Sequence, residues 1–211
     1  MGTLFLVRHG ESQYNLENRF TGWKDPALTE HGILEMKMAG DYLLGTHCEV
    51  AFCSCLQRTK QSTHILLAAA CQPEIPIIIA KELNERSYGT LEGLSKSDAV
   101  AAFGARQVLA WRRGYRDVPP NGESLLMAEE RVLPYFEKTI APESNKGSVL
   151  VCAHGNTLRA IVKNIERLGD EEIEALDIFT GSIRAYEFNE GRVNLQSIWN
   201  PKGNAPNNSV L

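Results

Sequence analysis

The sequence lacks long hydrophobic runs, nucleotide-binding loops and a strong excess of charge of either sign. Its longest uninterrupted apolar stretch, residues 65–71, is far too short to cross a bilayer. It contains neither a Gly-x-x-x-x-Gly-Lys loop nor a cluster of carboxylates typical of a magnesium site. With 22 Lys and Arg against 26 Asp and Glu, the net charge is −4. We therefore expect a protein without a membrane span, and one that does not bind nucleic acid.

Cysteine is also scarce, and its pattern predicts a compartment. There are five cysteines, an odd number, and the Cys53-x-Cys55 pair is too isolated for a zinc site. The N-terminus enters an apolar, strand-like run almost at once, so no signal peptide is expected. These features predict reduced thiols and a cytoplasmic protein.

The 211 residues alternate between strand-like and helical patterns. Because such alternation is typical of βα units, it predicts a three-layer α/β/α sandwich with a mostly parallel central sheet. We expect one catalytic domain over residues 1–199, a lid insertion at about 84–122, and a flexible C-terminal tail at 200–211. Strand-like runs lie at 4–7, 50–53, 75–79, 149–153 and 184–188, and helical periodicity at 29–44, 56–70 and 125–140, the last kinked by Pro134.

Two of the apolar runs end in the same dipeptide, His-Gly. Residues 3–9 lead into Gly10, and residues 148–154 lead into Gly155. Ligands of α/β sheets bind at the carboxyl ends of the strands, so His9 and His154 should meet at one edge. Each Gly permits a tight turn, and Arg8 beside the first imidazole suits a pocket that receives an anion.

The remaining cations indicate phosphoryl transfer without a metal. Arg58 follows a predicted strand, and further arginines and Lys96 crowd the insertion. Guanidinium groups and helix N-termini can neutralise a phosphoryl group, and a neutral imidazole can attack phosphorus. A metal held by His9, Glu11 and His154 is conceivable by residue type, but the arginines would repel it.

A proton must also be moved to and from the substrate oxygen, and Glu85 is the best candidate for this role. The alternative for Glu85 is a surface salt bridge with Arg86. Glu11 is the rival acid, although its place in the turn after His9 better suits an orienting role. The other histidines are expected to be structural: His31, His47 and His64.

Taken together, these motifs resemble the histidine phosphatase superfamily and, within it, the cofactor-dependent phosphoglycerate mutases. The resemblance covers nearly the whole chain and implies a phosphoglycerate mutase-like fold and an isomerase, an intramolecular phosphotransferase. It rests on Arg-His-Gly-Glu-Ser-Gln-Tyr-Asn at 8–15, Glu-Asn-Arg-Phe-Thr-Gly-Trp at 17–23, Leu-Asn-Glu-Arg-Ser-Tyr-Gly at 83–89, Leu-Glu-Gly-Leu-Ser-Lys at 91–96, Trp-Arg-Arg-Gly at 111–114 and His154-Gly155.

The resemblance assigns roles residue by residue. It implies that His9 is the phosphorylated nucleophile, that Glu85 is the proton donor and acceptor, and that Arg8, Arg58 and His154 hold the transferring phosphoryl group. The loop after the first strand would line the phosphate pocket, the insertion would bind the substrate carboxylate and second phosphate, and the second His-Gly turn would contribute as well. The implied substrate-binding residues are Ser12, Asn15, Thr21, Gly22, Arg86, Tyr88, Lys96, Arg112, Arg113, Gly155 and Asn156.

The implied reaction interconverts 3-phosphoglycerate and 2-phosphoglycerate in glycolysis and gluconeogenesis. It passes through phosphorylated His9 and enzyme-bound 2,3-bisphosphoglycerate, which also serves as the primer, and it needs no metal. Partners are then limited to small phosphoglycerates, and a homodimer is expected by resemblance alone.

Two departures from many of these mutases concern the lid and the tail. The chain runs from Gly122 directly into Glu123, which shortens the lid, and the tail carries only Lys202. Weaker retention of bisphosphoglycerate and some phosphatase activity follow as a hypothesis. The alternatives are a phosphohistidine-based phosphatase of small phosphate esters, and a binding or scaffold protein that has lost turnover.

Overall fold

A six-stranded sheet forms the centre of the computed structural model, which describes residues 2–189 and 192–203. The strand order is β3-β2-β4-β1-β5-β6. The first four strands run parallel to one another, while β5 pairs antiparallel with β1 and β6 antiparallel with β5. The mostly parallel sheet is thus confirmed. The strands are β1 (Gly2–Arg8), β2 (Val50–Cys53), β3 (Ile77–Ile79), β4 (Val149–Ala153), β5 (Ile183–Asn189) and β6 (Arg192–Trp199).

Helices cover both faces of this sheet. Along β1, Leu4 and Leu6 pack into one buried cluster and Phe5 and Val7 into another, as the two-residue period of a strand requires. The three-layer sandwich is therefore confirmed. The helices are α1 (Gln13–Leu16), α2 (Glu30–Tyr42), α3 (Gln57–Ala69), α4 (Lys96–Phe103), α5 (Ala105–Arg113), α6 (Leu125–Tyr135), α7 (Ala141–Lys146), α8 (Gly155–Glu166) and α9 (Asp170–Ala175).

The predicted elements differ from the structure at three places. Strand β3 begins at Ile77 rather than at residue 75, and β6 was not predicted. The long helix at 125–140 is α-helical only as far as Tyr135, next to Pro134, and continues as a π-helical segment, Phe136–Ile140. Proline lacks the N–H that an α-helix needs, so the hydrogen-bonding pattern changes there. Residues 204–211 of the expected tail lie outside the described residues.

Residues 84–122, the expected lid, contain helices α4 and α5 and form a cluster of their own. Leu91, Ala99, Val108 and Trp111 pack around Phe20 from the loop after β1. The insertion is therefore fastened to the same loop that follows the first His-Gly turn. This packing places its cationic side chains beside the carboxyl ends of β1 and β4.

Candidate active site

The two His-Gly turns meet at the carboxyl edge of the sheet. Strands β1 and β4 are neighbours, with Arg8 opposite Ala153, so the residues that follow each strand lie side by side. The imidazole rings of His9 and His154 contact each other edge to face, with centroids 5.1 Å apart and planes at 65°. The prediction that His9 and His154 meet at one edge of the sheet is confirmed.

A backbone hydrogen bond fixes the tautomer of His9. Its Nδ1 lies 2.7 Å from the carbonyl oxygen of Gly10. Because a carbonyl oxygen only accepts, Nδ1 carries the proton and Nε2 keeps its lone pair. Burial, together with the charges of Arg58 and Arg8, holds the pKa of His9 well below its usual value. His9 is therefore a neutral imidazole with an unprotonated nitrogen, the form required of a nucleophile.

The turn that carries His9 is held from three sides. The Gly10 amide donates to Ser62 Oγ at 3.1 Å, and the Glu11 amide donates to Glu35 Oε2 at 2.8 Å. Helix α2 approaches so closely that a Cβ on Gly10 would lie 2.2 Å from the Gly32 carbonyl oxygen. The Glu11 carboxylate accepts from a threonine of the same helix N-terminus and is not among the described residues lining the adjacent cavity. These contacts favour the orienting role for Glu11.

His154 is the N-cap residue of α8 and is fully buried. Its Nε2 lies 2.8 Å from Ser54 Oγ. Within the described part of the chain, Nδ1 of this ring has no hydrogen-bond partner. Burial and the charge of Arg58 are the main causes that hold the pKa of His154 well below its usual value. This imidazole is neutral too.

Arg8 and Arg58 are anchored by backbone carbonyls. Arg8 Nη1 donates to Ile178 O at 2.6 Å, and Arg58 donates from Nη1 to Lys24 O at 2.7 Å and from Nη2 to Gly22 O at 2.9 Å. The Nε atoms of both arginines are buried without a partner among the described residues. Burial lowers the pKa of Arg58 to about 10, so the group stays charged. Unpaired buried donors beside two imidazoles are suited to bind an anion.

A cavity of about 370 Å³ opens beside these residues. Its lining includes most of the residues that were predicted from the sequence to form the site, and several that were not predicted. The selected residues that line it are Arg8, Asn15, Thr21, Gly22, Glu85, Tyr88, Lys96, Arg112, Arg113, Gly155 and Asn156. The others that line it are Asn18, Arg19, Phe20, Arg159, Asp177, Ile178 and Phe179. Five selected residues lie outside this described lining: His9, His154, Arg58, Ser12 and Arg86.

Glu85 is only 8 % exposed and lines the cavity, so the alternative of a surface salt bridge is wrong for this residue. Its Oε1 accepts from the backbone amides of Arg86 at 2.7 Å and Asn156 at 3.2 Å. Its own carbonyl oxygen accepts from Trp23 Nε1 at 2.6 Å. The carboxylate is thus fixed at one oxygen by the N-terminus of α8, the helix that follows His154.

Ser12 and Arg86 act behind the cavity wall. Both the backbone amide and the hydroxyl of Ser12 donate to Asn15 Oδ1, at 3.0 and 2.8 Å. The amide nitrogen of Asn15 is therefore the group that can donate to a ligand. The guanidinium of Arg86 is fully buried, donates to the Tyr88 hydroxyl at 2.8 Å and to Trp111 O at 2.9 Å, and lies 4.5 Å from the Tyr88 ring centroid. The structure thus places Arg86 behind the wall, where its Nε and Nη1 are buried without a partner among the described residues.

The insertion at residues 84–122 supplies cations to the cavity wall: Lys96, Arg112 and Arg113. Arg113 pairs with Asp177 through two hydrogen bonds of 2.5 and 3.0 Å. Lys96 Nζ donates to Asn18 Oδ1 at 2.6 Å. Burial, followed by the charge of Arg112, lowers the pKa of Lys96 to about 8. The cavity therefore concentrates positive charge at two places, near Arg8 and along the insertion.

Arg159 and Asp177 are functional candidates that the sequence analysis missed. Arg159 lies on the first turns of α8, where Nη1 donates to Asn156 Oδ1 at 3.0 Å and Nη2 to Ile173 O at 2.5 Å. Its position four residues after Gly155 on a helix could have indicated that it faces the site. Asp177 carries no comparable local signal, because only the tertiary fold brings it against Arg113.

Neither a grouped set of metal ligands nor a membrane-spanning helix occurs in the described part of the chain. Over residues 2–189 and 192–203, no three His, Cys, Asp or Glu side chains are grouped so that they could hold a metal ion. Within the same ranges, none of the helices combines the length and the apolar character needed to cross a bilayer.

Comparison with known proteins shows which family this chain is similar to. A profile of the histidine phosphatase superfamily (branch 1) matches residues 4–201. The chain is 48 % identical over 190 residues to a 2,3-bisphosphoglycerate-dependent phosphoglycerate mutase of Parvibaculum lavamentivorans, covering 89 % of this chain and 90 % of that protein. It is 49 % identical over 181 residues to a phosphoglycerate mutase of Schizosaccharomyces pombe, covering 84 % and 86 %.

Solved structures share the fold at lower identity. YhfR of Bacillus stearothermophilus superimposes with a TM-score of 0.83 at 23 % identity, over 92 % of this chain and 95 % of that one. An α-ribazole-5′-P phosphatase from Escherichia coli superimposes with a TM-score of 0.78 at 24 % identity, over 92 % and 94 %. These likenesses confirm the architecture.

Proposed function

This chain belongs to branch 1 of the histidine phosphatase superfamily and, within it, to the 2,3-bisphosphoglycerate-dependent phosphoglycerate mutases, and from that premise we propose how its own residues perform the isomerisation. The enzyme is an isomerase that interconverts 3-phosphoglycerate and 2-phosphoglycerate. The observation that carries the proposed mechanism is the fixed tautomer of His9, which leaves Nε2 unprotonated beside two charged arginines.

His9 Nε2 is the atom that accepts and returns the phosphoryl group. The bond from Nδ1–H to the Gly10 carbonyl keeps the ring oriented and leaves the Nε2 lone pair free. Once Nε2 is bonded to phosphorus, the ring becomes cationic, and that hydrogen bond stabilises the charge at Nδ1. Arg8 and Arg58 lower the cost of bringing a phosphoryl anion to a buried position.

Glu85 moves the proton. In the forward direction, the 2-hydroxyl of 3-phosphoglycerate attacks the phosphorus on His9, the N–P bond breaks, and Glu85 takes the hydroxyl proton. In the return transfer, His9 Nε2 attacks the phosphorus at the 3-position, the P–O bond breaks, and Glu85 gives its proton to the departing oxygen. One proton and one phosphoryl group are thus exchanged in each half, and both groups end in their starting states.

Two anion-binding regions let the bisphosphoglycerate intermediate change its orientation in the cavity without dissociating. Near the sheet edge, Arg8, Arg58 and His154 hold the group being transferred. Across the cavity, the lid cations hold the carboxylate and the second phosphate: Lys96, Arg112 and Arg113. Asn15, Thr21, Gly22, Tyr88, Gly155 and Asn156 complete the walls. Since the lid packs on the loop after β1 through Phe20, it also excludes water from the phosphorylated imidazole.

The residues present fit the family's dependence on 2,3-bisphosphoglycerate. The unpaired buried Nε atoms of Arg8 and Arg58 and Nδ1 of His154 supply donors for one phosphate, and the lid supplies cations for another. When bound, 2,3-bisphosphoglycerate supplies the phosphoryl group that primes His9. In this proposal the guanidinium groups provide the charge neutralisation that a metal provides in other phosphotransferases.

The family also bears on partners and location. Phosphoglycerates are the substrates by membership of the mutase group. We further propose a homodimer, by analogy with the family alone, and a cytoplasmic location, which the five free cysteines support.

Phosphorus NMR of 3-phosphoglycerate in excess EDTA tests the proposal. With a trace of 2,3-bisphosphoglycerate, 2-phosphoglycerate should appear, and its rate should fall sharply without the primer. EDTA should leave the rate unchanged. Inorganic phosphate as the main product would make the protein a phosphatase on the same scaffold, and no reaction at all would favour a binding protein.

A further inference from the structure

Two buried hydroxyl groups behind His154 have no role in the mechanism described so far. Ser54 follows β2 directly, and Thr59 lies in the first turn of α3; both side chains are fully buried. Ser54 Oγ lies 2.8 Å from His154 Nε2 and 2.7 Å from Thr59 Oγ1, and it accepts from the Leu56 amide at 3.1 Å. The three side chains form a continuous chain of hydrogen bonds that ends at the second imidazole.

The number of protons in this chain restricts what each atom can do. A serine hydroxyl has one proton and two lone pairs, and the Leu56 amide takes one of the lone pairs. Ser54 must therefore donate to one of its two remaining neighbours and accept from the other. In the first order, Thr59 donates to Ser54, and Ser54 donates to His154 Nε2. In the second order, His154 Nε2 donates to Ser54, Ser54 donates to Thr59, and Thr59 donates to Leu56 O at 2.9 Å.

The two orders leave opposite groups on Nδ1 of His154. If Ser54 donates to Nε2, the neutral ring carries its proton on Nδ1. If Nε2 donates to Ser54, Nδ1 keeps a lone pair. Nδ1 is buried without a partner in the described chain, and the ring lies against His9 and within the field of Arg58 and Arg8. A lone pair at this place would repel a phosphoryl oxygen, whereas an N–H would bind it.

We propose that Ser54 is a positioning residue that sets the tautomer of His154 by donating to Nε2, so that Nδ1–H of the ring donates to the transferring phosphoryl group. This inference rests on the proposed function only in that a phosphoryl anion occupies the site. The donor is a neutral imidazole, because burial and the neighbouring arginines keep the pKa of His154 low. The N-terminus of α8, where the ring lies, disfavours a cation as well.

The arrangement solves a specific electrostatic problem of this site. An imidazolium between Arg8 and Arg58 would add a third buried positive charge when the phosphoryl group has left. A neutral Nδ1–H provides a hydrogen bond to the phosphoryl oxygen and leaves no uncompensated charge afterwards. The hydroxyl relay makes this donor available without protonation of the ring.

Ring-nitrogen NMR of the full chain labelled with isotopic histidine tests the proposal directly. Spectra are recorded at neutral pH with inorganic phosphate as the probe, and the His154 signals are identified by their loss in His154→Gln. The expected result is a protonated Nδ1 and an unprotonated Nε2. A protonated Nε2 in the phosphate-bound wild type would overturn the proposal, and this result needs no relay variant.

Substitutions on the relay test where the tautomer is set. Ser54→Ala removes the hydroxyl that donates to Nε2, so the Nε2–H tautomer of His154 should appear. Thr59→Val leaves Nε2 as the only relay neighbour to which Ser54 can donate and should keep the Nδ1–H tautomer. The matched control is Thr63→Val, the same change one turn later on α3, where the hydroxyl donates to the Thr59 carbonyl and not to the relay. A purely Nδ1–H ring in folded Ser54→Ala would overturn the role of Ser54.

Steady-state kinetics provide a second test of the proposal. Ser54→Ala should lower kcat by about tenfold to hundredfold at neutral pH with little change in KM, since the lost Nδ1–H acts on the transferring group, whereas Thr59→Val should stay near the wild-type rate. The deficit should shrink as pH falls, because protonation of His154 restores an Nδ1–H. A deficit independent of pH would contradict the tautomer mechanism.

The tautomer measurement is separable from the proposed function. Phosphate binding and ring-nitrogen spectra do not require isomerisation. If the spectra show the expected tautomer and no 2-phosphoglycerate forms, the mutase mechanism fails and the relay stands. If isomerisation is normal and the tautomer is Nε2–H, the relay fails alone.

Discussion

Hydrogen bonds to backbone atoms determine what the individual side chains of this site can do. The Gly10 carbonyl selects the tautomer of His9, and two backbone amides fix Oε1 of Glu85. Arg8 and Arg58 are held by carbonyl oxygens, which leaves their Nε–H groups for a ligand. Backbone partners do not titrate, so the geometry of these groups persists over a wide range of pH.

Glu85→Gln separates the proton-transfer role of this residue from its structural one. The amide oxygen of glutamine can still accept from the Arg86 and Asn156 amides, but it cannot take a proton. We expect kcat to fall by about a hundredfold to ten-thousandfold with KM changed little. Steady-state kinetics and a thermal melt of the same sample check this. A variant with near-normal kcat would remove Glu85 from acid–base chemistry.

Lys96 should make substrate binding sensitive to alkaline pH. Its pKa is lowered to about 8, so the fraction of charged lysine falls as pH rises through that value. A bound anion favours the charged form, so KM for 3-phosphoglycerate should rise above about pH 8, by at most about tenfold per pH unit because one proton is involved. Lys96→Met should show a higher KM that is flat over the same range. A wild-type KM that stays constant to pH 9 would contradict this assignment.

At the scale of secondary structure, helix α6 anchors the loop that carries Glu85. Arg131 on this helix donates from Nη1 to the carbonyls of Glu82 at 2.8 Å and Asn84 at 3.1 Å, and pairs with Glu123 at 2.9 Å. One side chain thus joins the helix, the catalytic loop and the end of the lid. The position of Glu85 depends on this contact as much as on its own sequence.

Arg131→Met should loosen that loop. It removes the donor to the Glu82 carbonyl and the cation paired with Glu123, although the Glu123 carboxylate keeps the bond from the Ser87 amide. The expected cost is on the order of 1–3 kcal/mol of unfolding free energy. We expect kcat to fall about tenfold, since the carboxylate loses its alignment. Denaturant unfolding and kinetics are the measurements, and Arg106→Met, an exposed lid arginine, is the matched control. Equal behaviour of the two variants would show that the anchor is unimportant.

The sequence predicted those elements whose signals are local. Strands β1 and β4 were visible because both their faces are buried, which makes their sequences continuously apolar. Strand β6 was not predicted, since a register shift opposite Ala185 and Tyr186 interrupts its alternation. The sequence could not show that Arg86 lies behind the cavity wall or that Asp177 forms part of that wall. The contacts that place these two side chains come from residues distant in the sequence.

At the scale of the whole molecule, the two buried imidazoles link stability to pH. Both have pKa values well below the usual 6.5 in the fold and an ordinary value in the unfolded chain. Below about pH 6.5 the unfolded chain therefore binds protons that the folded one does not. Stability is fully present above that pH and falls below it, by about 1.4 kcal/mol per pH unit for each imidazole.

Denaturant unfolding in phosphate-free buffer between about pH 6.5 and 5.5 measures this linkage. Over this one-unit window, His154→Gln should reduce the change in unfolding free energy by about 1 kcal/mol, since the slope approaches its limit of about 1.4 kcal/mol per pH unit only below it. His64→Gln, which changes an exposed histidine of α3, is the comparison variant, and His154→Gln should have the shallower slope of the two. Identical slopes for the two variants would mean that His154 is protonated in the fold.

The central claim is that one nitrogen of one histidine carries the phosphoryl group. After incubation with 2,3-bisphosphoglycerate, phosphorus NMR of protein labelled with isotopic histidine nitrogens identifies the bonded atom by its coupling to phosphorus. We predict one phosphoryl group per chain, on Nε2 of His9, absent in His9→Gln and discharged by 3-phosphoglycerate. A phosphoryl group on Nδ1 or on any other residue, or turnover that persists in His9→Gln, would contradict the account.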